Sequence, residues 1–70
     1  MAMHRDDAHD SLHRCGIAPG TNFFTLSASQ TGALVAEAKR LKYRQPKNAN
    51  GSLARYFHAR LERAANKESH

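Results

Sequence analysis

Apolar side chains recur at helical spacing in two stretches of the chain. The first predicts a helix from about Ala28 to Tyr43, with Ser27 as its N-cap and Gln30 completing a capping box. The second predicts a helix that fades near Asn66. The two stripes consist of Thr31, Leu34, Val35, Ala38 and Leu41 in the first helix and of Leu53, Tyr56, Phe57, Arg60, Leu61 and Ala64 in the second.

The linker between these helices contains Pro46 and several turn-forming residues, so it separates them. Asn48, Asn50 and Ser52 could each cap the second helix, and the sequence leaves the choice open. His58 lies away from the apolar stripe among basic residues, and we expect it on the surface without a catalytic role.

A short β-prone run covers residues 22 to 27, before the first helix. Its alternation places Phe24 and Leu26 on one face and Phe23, Thr25 and Ser27 on the other. It is the only credible strand in the sequence. A single strand needs a partner, so we expect it to pair with the same strand of a second copy.

The first 21 residues form a polar N-terminal arm with few large apolar groups. Asp6 to Cys15 could form a short helix that ends at Gly16, with Ala8, Leu12 and Cys15 facing a core and Ile17 as the contact after the glycine. A flexible arm is the alternative. The predicted organisation is therefore an arm at 1–21, a strand-helix-helix domain at 22–66 and a disordered tail at 67–70.

Residues 22 to 64 resemble the ribbon-helix-helix (Arc/MetJ-like) DNA-binding family. The resemblance depends on the strand alternation, the two helical stripes, and Asn50-Gly51-Ser52 at the start of the second helix. It implies a mostly α fold with one short β-strand, in a homodimer whose paired strands enter the major groove. A small α-helical monomer is the alternative fold.

The same resemblance implies two sets of contacts with DNA. The strand would present Phe23, Thr25 and Ser27 to base edges, although none of these is a bidentate base reader. The start of the second helix would hold a phosphate on its free N–H groups, unless Asn50 and Ser52 only cap the helix. The implied phosphate contacts are Lys47, Asn50, Gly51, Ser52 and Arg55.

Positive charge is concentrated in the second half of the chain. The formal net charge is +5, yet the window from Lys39 to Arg60 holds seven basic residues and no acidic one. Such a one-sided distribution is typical of proteins that bind phosphate backbones, and a solvated face is the alternative. An additional basic patch is predicted at Lys39, Arg40, Lys42 and Arg44.

The small size of the chain limits the folds that it can adopt. It has 70 residues, of which 40% are apolar, and many of those are alanine. A chain this short rarely buries enough surface alone, so we expect a single domain that gains stability from a partner chain.

The lone Cys15 permits no intrachain disulfide, and neither a secretory signal nor a membrane span is visible, so we expect a cytoplasmic location and no membrane.

Catalytic and metal-binding patterns are weak. His9 and His13 lie one helical turn apart near Asp6 and Cys15, but four ligands at closed spacing are missing, so we expect no metal. Cys15 beside His13 has no orienting acid, and we expect neither catalysis nor a cofactor.

Two functions are therefore compatible with the sequence. The first is a dimeric transcriptional repressor or a plasmid or phage accessory factor that binds nucleic acid. Duplex DNA is the favoured ligand, and the sequence does not separate it from RNA bound through the same basic patch. The alternative is a protein-binding inhibitor encoded by a phage or mobile element, directed for example at a host defence complex. This inhibitor would use Phe23, Tyr43, Tyr56 and the basic residues to hold its protein partner.

Overall fold

A computed structural model describes residues 4–45 and 52–66. In these ranges the protein is a mostly helical domain of three α-helices: α1 (Arg5–Arg14), α2 (Ala28–Arg40) and α3 (Leu53–Ala65). A short 3₁₀ turn (Phe23–Thr25) precedes α2, and the described ranges contain no strand. No helix among them has the length and apolar character needed to cross a membrane.

Helix α3 lies at the centre, because both α1 and α2 pack against it. The resulting core is small and continuous. Its buried side chains come from all three helices and from the segment after α1; they are Ala8, Leu12, Cys15, Ile17, Leu34, Ala38, Ala54, Phe57, Leu61 and Ala65.

Helix α1 ends in a Schellman motif, as the Gly16 signal predicted. Gly16 has a φ of 72°, its N–H donates to His13 O, and the Ile17 N–H donates to Leu12 O, both at 2.9 Å. Ile17 is buried beside Leu12. The predicted short helix is thus present, and it contributes to the common core instead of forming a separate arm.

Helix α2 begins with the predicted capping box. The Gln30 N–H donates to Ser27 Oγ at 3.1 Å, and the Ser27 N–H donates to Gln30 Oε1 at 2.9 Å. The helix was predicted to reach Tyr43 but ends at Arg40. Lys42 adopts a left-handed φ of 57°, and the Tyr43 N–H donates back to Ala38 O at 2.9 Å, which closes a second Schellman motif without a glycine.

The strand predicted over residues 22–27 is wrong. The Phe24 N–H donates to the side chain of Asn22 at 2.9 Å, and the Thr25 N–H donates to Asn22 O at 3.0 Å, so these groups are used locally. Phe23 packs against the core, whereas Phe24 is 75% exposed, which reverses their predicted faces. The described chain therefore lacks the strand on which the ribbon-helix-helix resemblance depended.

Ser52 is the N-cap of helix α3, and the Ser52 side chain accepts a hydrogen bond from the Arg55 N–H at 3.2 Å. Asn48 and Asn50, the other two candidates, lie outside the described residues. The prediction that His58 is a surface residue is wrong, because His58 is buried. The reason is that α1 and α2 cover α3 from two sides, so its buried arc is wider than one apolar stripe.

Candidate functional site

A basic groove of about 860 Å³ runs between α1, the segment that follows α2, and α3. Five cationic side chains line it, and they come from three separate parts of the chain. Asp7 is the acidic residue among the lining side chains. The groove is lined by His4, Asp7, Ser11, Arg14, Arg40, Leu41, Lys42, Tyr43, Arg44, Phe57 and Arg60.

A buried carboxylate holds two of these cations in place. Glu37 of α2 accepts hydrogen bonds from Arg14 Nη2 at 2.8 Å, from Ser11 Oγ at 3.1 Å and from Arg40 Nη2. Only 9% of the Glu37 side chain is exposed, whereas the side chains of Arg14 and Arg40 are 49% and 56% exposed. The carboxylate therefore anchors two guanidinium groups from inside the fold while both remain accessible to solvent.

These contacts fix the charge of the cluster. The hydrogen bond from Arg40 outweighs the effect of burial and, together with those from Arg14 and Ser11, lowers the pKa of Glu37 to about 2. The same carboxylate raises the pKa of Arg14. Near neutral pH the cluster consequently carries two positive charges and one negative charge.

Aromatic packing positions another part of the groove lining, formed by Tyr43, Phe57 and Arg60. The Tyr43 ring lies 5.2 Å from the buried Phe57 ring, and its hydroxyl donates to Tyr56 O at 3.4 Å. The guanidinium carbon of Arg60 lies 5.7 Å from the Tyr43 ring centroid, within the range of a cation–π contact. The hydrogen bond from the Tyr43 N–H to Ala38 O, which ends α2, thus also positions the Tyr43 ring against which Arg60 packs.

The structure divides the predicted basic patch. Arg40, Lys42 and Arg44 line the groove, whereas Lys39 is exposed and is not among the lining residues. Arg14 and Arg60 are the other two cationic residues that line the groove, and neither belonged to the predicted patch. Lys39 therefore differs from its neighbours in position while carrying the same charge.

The predicted phosphate contacts are only partly described. Ser52 caps α3, in agreement with the capping alternative, and the guanidinium carbon of Arg55 lies 5.3 Å from the Phe24 ring centroid. Neither residue lines the basic groove. Lys47, Asn50 and Gly51 lie outside the described residues.

The predicted base-contacting residues do not share one exposed edge. Phe23 packs against the core, and its ring centroid lies 5.7 Å from that of His58. The Thr25 hydroxyl donates to Asn22 O at 2.7 Å, and Ser27 caps α2. The exposed aromatic side chain in this segment is Phe24, which the strand pattern had placed on the face opposite the predicted base contacts.

A second polar cluster connects α3 to the segment after α1. Glu62 Oε1 accepts from the Gly20 N–H at 2.7 Å, and Glu62 Oε2 lies 3.3 Å from Nε2 of the buried His58. Both carboxylate oxygens of Glu62 therefore face the protein interior or the adjoining loop.

Sequence reasoning missed Glu37, although one signal was present. Glu37 lies on the helical face of Leu34, Ala38 and Leu41, where a charged residue is costly without a partner. The position thus indicated a buried ion pair. The identity of the partner Arg14 could not be read, because it depends on how α1 and α2 pack.

The histidines of α1 and the Cys15 that follows the helix do not converge on one point. His9 Nε2 lies 3.3 Å from Ala65 O, while Cys15 is buried, and burial raises the pKa of its thiol. Across residues 4–45 and 52–66 no three His, Cys, Asp or Glu side chains are grouped as metal ligands. Comparisons with known proteins found no matching protein-family model, no matching curated protein and no matching solved structure.

Proposed function

We propose that the protein binds the phosphate backbone of nucleic acid, with duplex DNA as the ligand, through the basic groove. The observation that carries this proposal is the convergence of Arg14, Arg40, Lys42, Arg44 and Arg60 on one surface. A linear window of basic residues is common on soluble proteins. Cations gathered from three separate segments around one groove are a more specific sign of an anionic ligand.

Glu37 supports the proposal because it orders the two arginines before any ligand arrives. Flexible side chains lose about 0.5–1.5 kcal/mol each when an interface immobilises them. Arg14 and Arg40 are already held by their hydrogen bonds to Glu37 in the folded protein. Part of their conformational entropy is therefore lost on folding, and less remains to be lost on binding. A guanidinium retains several N–H donors beyond those bonds, and its planar fork matches a phosphate.

The distribution of acidic residues also favours one direction of approach. The exposed face of α1 carries Asp6 and Asp10 beside Arg5 and is net negative, whereas the groove sets five cationic side chains against Asp7 and the outer side of α3 is basic. A polyanion is thus attracted to one side of the domain and repelled by the other. Such steering suits a small cytoplasmic DNA-binding protein, a repressor or accessory factor, that acts without catalysis.

The alternatives have less support. A homodimer built on paired strands loses its basis, because residues 23–25 form a 3₁₀ turn. The protein-binding alternative relied on Phe23, Tyr43, Tyr56 and the basic residues as surface anchors, and two of these, Phe23 and Tyr43, pack partly against the core. RNA shares the phosphate chemistry, so an RNA duplex belongs in the test as a competitor.

Fluorescence anisotropy with a labelled DNA duplex of about 20 base pairs, titrated between about 50 and 200 mM salt, tests the proposal. We expect affinity to fall steeply with salt. Arg44→Ala should reduce the slope of log K against log salt by about 0.9, the value for one lost phosphate contact. Lys39→Ala removes the same charge outside the groove and should leave the slope unchanged.

Absence of binding at the lowest salt concentration would overturn the proposal. So would binding that does not respond to salt, or equal slope changes for Arg44→Ala and Lys39→Ala, because the groove would then have no special role. Tighter binding of the RNA duplex would replace DNA by RNA as the ligand.

A further inference from the structure

We infer that α3 is the element that enters the major groove of the DNA, with its exposed face of Arg55, Ala59 and Arg63 directed at the base edges. This inference rests on the proposed function and extends it from the backbone to the bases. The three residues are exposed and follow one another at four-residue intervals, so they form a single stripe.

The stripe is the most suitable helical surface that the described residues offer. It lies opposite the buried face of α3 and contains no acid, since Glu62, the acidic residue of α3, contacts Gly20 and His58. The outer face of α1 carries Asp6 and Asp10 beside Arg5, so its net charge is negative and less suited to DNA. The outer face of α2 is formed by small neutral residues over most of its length: Ser29, Gly32 and Ala36.

The dimensions of α3 also fit. Its 13 residues span about 20 Å, and a major groove about 12 Å wide admits an α-helix. Ala59 lies at the middle of the stripe, where a side chain of one methyl group permits close approach of the helix to the bases. Arg55 and Arg63 on either side are long enough to reach guanine O6 and N7.

The position of α3 beside the basic groove links the two surfaces. Arg60 belongs to α3 and lines the groove, so one strand backbone can lie along Arg14, Arg40 and Arg44 while α3 occupies the adjoining major groove. At the other flank, Arg55 is held over the ring of Phe24, which is 75% exposed. An exposed aromatic residue at this place can contact a thymine methyl group or a sugar.

A modified duplex separates this inference from the proposed function. The probe is a mixed-sequence DNA duplex in which cytosines are replaced by glucosylated 5-hydroxymethylcytosine, compared with the unmodified duplex and with its single strand. The glucose fills the major groove and leaves the phosphate charge unchanged. We expect affinity for the modified duplex to be at least about tenfold lower, within the five- to 150-fold range of base-edge contacts.

Two matched variants provide an independent readout on the unmodified duplex. Ala59→Gln places a longer neutral side chain at the centre of the stripe, and we expect it to weaken binding by about tenfold. Ala36→Gln makes the same change at an exposed position of α2, and we expect it to bind like the parent protein. Both positions are exposed and glutamine is a good helix former, so both variants should keep the fold.

Each outcome decides between the two claims. If neither duplex is bound, the proposed function fails and this inference fails with it. If both duplexes are bound equally, or if Ala59→Gln binds like Ala36→Gln, the protein contacts the backbone without α3 and only this inference is overturned. Preferential binding of the single strand likewise overturns it, because a single strand has no major groove.

Discussion

Lys42 offers a substitution that separates stability from binding. It is the residue that ends α2 in a left-handed conformation, with a φ of 57°, and its side chain lines the basic groove. Most residues with a Cβ pay a cost in this conformation, and glycine does not. We therefore expect Lys42→Gly to make the protein more stable and to weaken its binding to DNA.

The magnitude of the stability change follows from two opposing effects. A left-handed residue with a Cβ costs about 1–2 kcal/mol, and this strain disappears in glycine. Glycine also makes the unfolded chain more flexible, which costs about 0.4–1 kcal/mol. The net gain is about 0.5–1 kcal/mol, which raises the Tm of a domain of this size by about 2–8 °C.

Thermal unfolding followed by circular dichroism measures the gain, and anisotropy measures the binding. Lys42→Ala is the matched control, because it removes the same charge and retains a Cβ. We expect both variants to lower the salt slope by about 0.9, and only Lys42→Gly to raise the Tm.

Two results would refute the reasoning. A Lys42→Gly variant no more stable than Lys42→Ala would show that the left-handed position carries no strain. Unchanged affinity in both variants would show that Lys42 does not contact DNA. Because the glycine variant should fold better than the parent, a loss of binding cannot be attributed to unfolding.

Three further predictions concern the fold and the buried ion pair. The pKa of Glu37 is lowered to about 2 from an ordinary value of 4.5, so its stabilisation is complete above pH 4.5 and is lost as the pH falls toward 2. Urea unfolding at several pH values should show a loss of about 1–3 kcal/mol over this interval, and Glu37→Gln should remove that pH dependence. Phe23→Ala should lower the free energy of unfolding by about 1–3 kcal/mol, because Phe23 packs on the core. Phe24→Ala should change it by less than about 0.5 kcal/mol, because Phe24 is exposed. A larger loss for Phe24→Ala than for Phe23→Ala would favour the strand over the 3₁₀ turn. Ser27→Ala should lower stability by about 1 kcal/mol through loss of the cap, and a neutral result in urea unfolding would contradict the capping box.

Local chemistry was readable from the sequence. The Ser27–Gln30 capping box, the Ser52 cap and the Gly16 terminus each depend on a few consecutive residues, and each lies where a candidate was identified. The mostly helical fold class followed from these signals and from the apolar spacing. A longer-range bond at these termini is that of Gln30 Nε2, which donates to Gly16 O at 2.7 Å and so joins the start of α2 to the end of α1.

The segment around Phe24 shows why the strand prediction failed. Alternation over six residues is too short to distinguish a strand from a turn, and the amide side chain of Asn22 captures the Phe24 N–H. The ring of Phe23 then finds its place against α3 and His58. Tertiary contact, which the pattern does not contain, decides which phenylalanine is buried.

The groove was predictable only in part for the same reason. Arg40, Lys42 and Arg44 belong to a basic run that is visible in the sequence, and a basic patch was predicted there. Arg14 and Arg60 join them only because α1 and α2 both pack against α3. Glu37, which orders Arg14 and Arg40, becomes meaningful once these helices are together.

Amide chemical-shift mapping by NMR, with the DNA duplex titrated into isotope-labelled protein, tests the central claim most directly. We predict that the largest shifts occur at Arg14, Lys42 and Arg44 around the groove and at Ala59 and Arg63 on α3. The outer face of α1, at Asp6 and Asp10, should remain unchanged. Shifts centred on that acidic face, or no shifts at low salt, would contradict the assignment of the basic groove and α3 as the DNA-binding surface.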